Sequence, residues 1–144
     1  MRIGIPLETK SGESRVAATP ETVKKLITAG HSLTIQSHAG VKASIIDEAF
    51  TAAGATIGSA TEVFNCDIVL KVRAPSDDEL NQMRPGTVLI GMLDPFDSAT
   101  INAMAGKQIT AFALEAAPRT TRAQSMDVLS SQANIAGYKA VMLA

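Results

Sequence analysis

Glycine punctuates this chain at the ends of its helical patterns, and that punctuation fixes the class of fold. Thr19-Pro20 precedes Val23, Leu26 and Ile27 at helical spacing, and Gly30 follows. A hydroxyl N-cap, a proline at the first helical position and a glycine just past the last turn mark a helix at both ends. The pattern recurs. Ser44 opens a second helix with Ile46, Ala49, Phe50 and Ala53 on one face, closed by Gly54. Ser76-Asp-Asp-Glu79 is a capping box whose helix stops at Pro85-Gly86. A helix from Asp97 or Ser98 to Ala105 ends at Gly106, and a single helical turn is expected over residues 61–64. Between these lie short apolar runs at residues 2–5, 32–36, 55–57, 67–73, 87–93 and 108–114. Strands alternating with helices through short connections imply an α/β fold, here an open, mostly parallel sheet with helices on both faces. The run Thr87-Val-Leu-Ile-Gly-Met-Leu93 is apolar throughout, so its strand is expected to be covered on both faces.

Composition narrows the functions such a sheet could serve. The hydrophobic fraction is 46% but only 3% of the residues are aromatic and there is no Trp, so the core is aliphatic and no stacking platform for bases exists. Lys and Arg number 13 against 14 Asp and Glu, a net charge of -1, which argues against a nucleic-acid partner and an anionic membrane surface. Cys66 stands alone, which excludes an internal disulfide framework and a CxxC metal site. No apolar run approaches the ~18 residues needed to span a bilayer. The chain reads as a soluble piece from a reducing compartment.

One segment does not fit a scaffold role. Residues 118–140, PRTTRAQSMDVLSSQANIAGYKA, crowd Arg119, Arg122, Gln124, Ser125, Asp127, Ser130, Ser131, Gln132 and Asn134 together after the last strand. The final helix, from Ser125 to Ala144, ends on Ala-Val-Met-Leu-Ala with no Gly, Pro or cationic stop. We therefore expect a lobe over residues 1–124 and, over 125–144, the start of a helix leading to a further lobe.

Ligands of open α/β sheets bind beyond the carboxyl ends of the strands. The candidate residues are thus those at 8–15, 36–40, 71–73, at Asp94, and from Arg119 onward. No two glycines are spaced G-x-G, so there is no dinucleotide turn or phosphate loop of the usual kind. His38 follows the second strand, where a solvated loop residue is the common outcome, and His31 sits at the opposite end. No pair of histidines or acids has metal-ligand spacing, and no G-x-S-x-G elbow is present. Lys71 lies inside the apolar run Ile68-Val-Leu-Lys-Val72. Such a lysine is either a buried group with a partner or site, or a snorkelling edge residue. Arg15 is either an anion binder or a partner of Glu13 or Glu8.

Met1-Arg-Ile-Gly-Ile-Pro-Leu-Glu8 and Glu13-Ser-Arg-Val-Ala-Ala-Thr-Pro20 resemble the start of the alanine dehydrogenase/transhydrogenase family. Residues 119–138, RTTRAQSMDVLSSQANIAGY, resemble the proton-translocating NAD(P) transhydrogenase alpha subunit almost position by position. The resemblance covers the whole chain and implies a flavodoxin-like N-terminal lobe followed by a Rossmann NAD-binding lobe. It implies that the polar segment holds the nicotinamide ring of NAD(H), with Gln124 and Arg119 positioning the ring. Asp127, Val128, Leu129 and Ser130 then complete the cofactor-binding set, and the pyrophosphate is held outside this segment. A carboxamide offers an NH2 donor and a C=O acceptor, which amide, hydroxyl and backbone groups satisfy together and lysines do not. The resemblance further implies NADP(H) on a partner beta component, a membrane domain, and a homodimer of the full component. Arg122 would face the partner subunit, and the assembly would lie at the cytoplasmic side of the bacterial inner membrane. No residue is expected to act as acid or base. Alanine dehydrogenases carry a catalytic histidine where this chain has Asp94, and that departure disfavours amino-acid chemistry. Arg15 and Lys71 match that branch's substrate-carboxylate binders, so the alternative is a lobe binding a small oxo acid through them. A third alternative is a non-catalytic interaction domain. The structural reading of the polar segment is a capped helix start, with Ser125 as N-cap and Asp127 in the first turn.

Overall fold

In the computed structural model, residues 1–118 and 120–143 are described, with Ser125 described in its backbone only. Arg119, expected to position a ligand ring, lies outside the described residues. The chain forms β1 (Arg2–Ile5), α1 (Pro20–Thr28), β2 (Ser32–Gln36), α2 (Asp47–Ala52), β3 (Thr56–Gly58) and α3 (Ala60–Phe64). It continues with β4 (Ile68–Arg73), α4 (Asp77–Gln82), β5 (Val88–Met92), α5 (Ser98–Gly106), β6 (Thr110–Ala113) and α6 (Val128–Leu143). The six strands are all parallel, in the order β3-β2-β1-β4-β5-β6. Without the short edge strand β3 this is the flavodoxin order, so the α/β reading holds with one strand added at an edge. The chain reverses its direction of winding between β1 and β4, which opens a crevice at their carboxyl ends.

Side-chain alternation divides the core. Ile3 and Ile5 pair in register with Leu33 and Ile35, and all four face α1 and α2 together with Val23 and Phe50. On the opposite face Val69 and Leu89 pack with Phe64, Leu80 and Met104 of α3, α4 and α5. Gly4 lets α3 approach β1 directly, because a Cβ there would lie 2.1 Å from the Val63 carbonyl oxygen. The strands expected from the apolar runs are present, and so are the Thr19 and Ser76 caps; Asp97 caps α5. No helix among the described residues is long and apolar enough to cross a membrane.

Four local expectations are corrected. Ser44 does not open a helix: it is left-handed (φ 61°) after a 3-10 turn at Val41–Ala43, and α2 starts at Asp47 with Ile46 largely exposed. Gly106 is the last residue of α5 rather than its stop, and the left-handed turn falls on Gln108 (φ 57°). The β5 strand is sealed on one face only, since Ile90 and Met92 line a cavity on the other. Finally, Ser125 does not begin the last helix. Residues Thr121–Met126 form a 3-10 turn, and Asp127 caps α6 by accepting the Ser130 N–H at 3.0 Å.

Candidate functional site

The crevice between β1 and β4 is the place where a parallel sheet of this order presents ligands. Here it is filled by charged side chains. Lys71 is buried on β4, its ammonium 3.0 Å from Glu79 Oε1 and 3.5 Å from Glu8 Oε2. A β-bulge between Leu70 and Arg73 takes Val72 out of register, and its N–H donates instead to Glu8 Oε1 at 2.6 Å. Gly91 accommodates that bulge, since a Cβ on it would meet the Lys71 carbonyl oxygen at 2.4 Å. Glu79 serves twice. One oxygen accepts the Ser76 N–H of the capping box, and the other accepts Lys71 and the Thr9 hydroxyl.

Arg15 forks onto Glu13, with Nε donating to Oε1 at 2.7 Å and Nη2 to Oε2 at 2.6 Å. Arg73 adds a third bond to Glu13 at 2.9 Å. The Arg15 side-chain bonds, ahead of its backbone N–H and Arg73, hold the Glu13 carboxyl down at about 2. The remaining Arg15 nitrogen, Nη1, reaches Gln132 on α6 at 3.0 Å and ties that helix to the lobe. Arg15 and Lys71 do line a cavity of about 680 Å³, together with apolar groups such as Leu70, Ile90 and Met92. Their charges are nonetheless matched inside the protein, and the snorkelling alternative for Lys71 is excluded by its burial.

The second location is the exit of β5 and β6. A cavity of about 350 Å³ is lined there by Glu115, Thr120, Gln124, Asp127, Leu129 and Ser130, among others. The sequence-predicted Gln124, Asp127, Leu129 and Ser130 therefore meet at one cavity, while Val128 turns to the larger one. Gln124 is exposed at the cavity and its amide has no hydrogen-bond partner among the described residues. Asp127 and Ser130 are tied together: the Ser130 hydroxyl donates to Asp127 Oδ2 at 2.6 Å, beside the cap bond from its N–H. The Asp127–Ser130 pair thus caps α6 and walls the cavity at once. His38 lies elsewhere, exposed at the end of β2, with its N–H bonded to Asp47 at 2.9 Å.

Sequence reasoning missed Glu115. Its Oε1 accepts the Asp94 N–H at 2.7 Å, and its Oε2 is shielded from solvent without a hydrogen-bond partner among the described residues. The only signal was an acid set between Leu114 and Ala116 at the end of a strand. Asp94 itself is left-handed (φ 53°), a conformation Asp tolerates better than most residues.

The family model described as "Alanine dehydrogenase/PNT, N-terminal domain" matches residues 4–136. The chain belongs to that family. Within it, the chain is 43% identical over 143 residues to the NAD(P) transhydrogenase subunit alpha of Haemophilus influenzae, covering 99% of this chain and 28% of that protein. The crystal structure of transhydrogenase from Sinorhizobium meliloti matches with a TM-score of 0.95 and 46% identity, over 100% of this chain and 44% of that one. An alanine dehydrogenase of Methanococcus maripaludis is more distant, at 35% identity over 99% of this chain and 39% of that protein. The chain thus spans less than half the length of each of these relatives. Its similarity favours the transhydrogenase branch over the alanine dehydrogenase branch.

Proposed function

We propose that the chain is the N-terminal portion of the NAD(H)-binding component of a proton-translocating NAD(P) transhydrogenase, and that its 119–130 segment holds the nicotinamide end of NAD(H). The observation that carries this reading is the polar cavity at the exit of β6, whose wall includes the amide residue Gln124, the hydroxyl residues Thr120, Thr121 and Ser130, and the acids Glu115 and Asp127. That donor and acceptor set suits a neutral carboxamide on a ring. Bound NAD(H) supplies the hydride. Gln124 and Arg119 orient the ring, Asp127 and Ser130 hold the cavity wall and the start of α6, and Val128 and Leu129 contribute backbone and apolar contacts. Hydride transfer between two nicotinamides moves no proton on oxygen or nitrogen, so none of these residues is needed as an acid or base.

The pyrophosphate binds outside this segment, since no glycine turn here leads into a helix to receive it. In the complete assembly NADP(H) is held by the partner beta component, and Arg122 faces that partner. The full component forms a homodimer at the cytoplasmic side of the bacterial inner membrane, where a membrane domain couples hydride transfer to proton movement. The oxo-acid alternative draws on Arg15 and Lys71 beside the larger cavity. It is disfavoured because a substrate carboxylate would have to displace Glu13 from Arg15 and compete with Glu8 and Glu79 for Lys71.

Gln124→Asn in the complete enzyme tests the reading. Most binding energy comes from the adenosine and pyrophosphate ends, so NADH affinity should change only a few-fold. Hydride transfer needs the reacting carbons ~3–3.5 Å apart, and a loosened ring should slow single-turnover transfer by roughly 10–10²-fold. A variant that folds normally and transfers hydride at the wild-type rate would reject Gln124 as a ring-positioning residue.

A further inference from the structure

The buried carboxylates of the lobe have cationic partners: Glu13 has Arg15 and Arg73, and Glu8 and Glu79 share Lys71. Glu115 differs. No cation pairs with it among the described residues, and its Oε2 is enclosed with no donor. The carboxylate is also fixed in place. Oε1 accepts the N–H of Asp94, whose left-handed backbone sits at the turn directly after β5. Glu115 forms part of the wall of the same 350 Å³ cavity as Gln124, Asp127 and Ser130. Both oxygens of Asp127 are already engaged by Ser130, so the acceptor still lacking a donor at this wall belongs to Glu115.

The geometry points to Glu115 as a specificity residue of the ring site: it accepts a ligand bearing a neutral carboxamide and rejects one bearing a carboxylate in its place. This rests on the nicotinamide reading above. An acceptor without a donor is completed by one that a ligand brings, and the carboxamide NH2 is such a donor. A ring carboxylate brings no donor, and it adds a negative charge beside a carboxylate that has no ion pair among the described residues. Like charges at close range in a shielded site oppose each other strongly.

The test compares binding of NAD+ and of nicotinic acid adenine dinucleotide, which differ only in that ring substituent. Calorimetry is run on the full-length subunit, wild type and Glu115→Gln. The glutamine keeps an oxygen for the Asp94 N–H while removing the charge and supplying an NH2 group to a carboxylate. Wild type should prefer NAD+ by at least about tenfold, and the variant should narrow that preference by about tenfold, chiefly through tighter binding of the acid. A preference unchanged within about twofold, in a variant that still binds NAD+ and is therefore folded, would overturn the role of Glu115. The parent reading fails separately. If Gln124→Asn slows hydride transfer while Glu115→Gln leaves the preference intact, only this inference falls. If Gln124→Asn transfers hydride normally, the ring site itself is misplaced.

Discussion

The two carboxyl-end regions of the sheet solve opposite problems. At β1 and β4, Glu8, Glu13 and Glu79 are matched to Arg15, Lys71 and Arg73, and every one of these cations has a carboxylate within hydrogen-bond reach. At β5 and β6, the Gln124 amide is unbonded among the described residues and the Glu115 oxygen has no donor. A fold position that commonly receives ligands is here spent on holding strands, a bulge and a helix in register. The groups left for a ligand lie two strands away. Even the crevice has one oxygen without a hydrogen bond, Glu8 Oε2, but Lys71 faces it at 3.5 Å; the Glu115 oxygen has no such ion pair among the described residues.

The largest expected effect breaks the first region. Lys71→Met removes the cation from two buried carboxylates, and leaving such charges uncompensated costs about 3–5 kcal/mol. Urea unfolding at neutral pH should show that loss. A loss under about 1 kcal/mol would mean that water reaches the crevice.

A smaller effect concerns Glu13. Its folded carboxyl titrates at about 2 against an ordinary 4.5, held there first by Arg15. Because the folded value is depressed, the stabilisation is complete above the ordinary value and is lost as pH falls from about 4.5 through 2. Its size is at most about 2–3 kcal/mol, discounted because Arg15 and Arg73 are partly exposed. Glu13→Gln should therefore flatten the acid limb of the stability profile. An acid limb identical to wild type would contradict this.

The smallest stability change belongs to the second region. Asp127→Ala removes a side-chain cap and should cost about 1 kcal/mol. Its effect should be confined to the start of α6, so amide exchange should speed up at residues 128–131 and stay unchanged in β1 and β4. A global loss comparable to that of Lys71→Met would erase the contrast between the regions.

Local signals carried most of the fold. Thr19, Ser76 and Asp97 cap the helices their neighbours announced, and the apolar runs became the six strands. The signals failed where distant chain decides the geometry. Ser44 has the composition of an N-cap, yet Asp47 is held by Ser37 and the His38 N–H, so the helix starts at Asp47 instead. Glu79 was legible as a capping residue but not as the partner of Lys71, which lies on another element. The candidate site was legible as a dense polar segment whose meaning came from family resemblance. Glu115 showed only as an acid at the end of a strand, because its significance lies in a missing partner, which only a three-dimensional arrangement exposes.

Hydrogen exchange of the full-length subunit, with and without NADH, tests most directly whether the ligand engages the polar segment and not the charged crevice. Bound ligand should slow exchange of the described amides over residues 120–131 and leave Lys71–Arg73 and the Glu8–Arg15 stretch unchanged. Protection appearing at Val72 and Arg15 while the 120–131 amides exchange as before would contradict the account and return the ligand to the β1–β4 crevice.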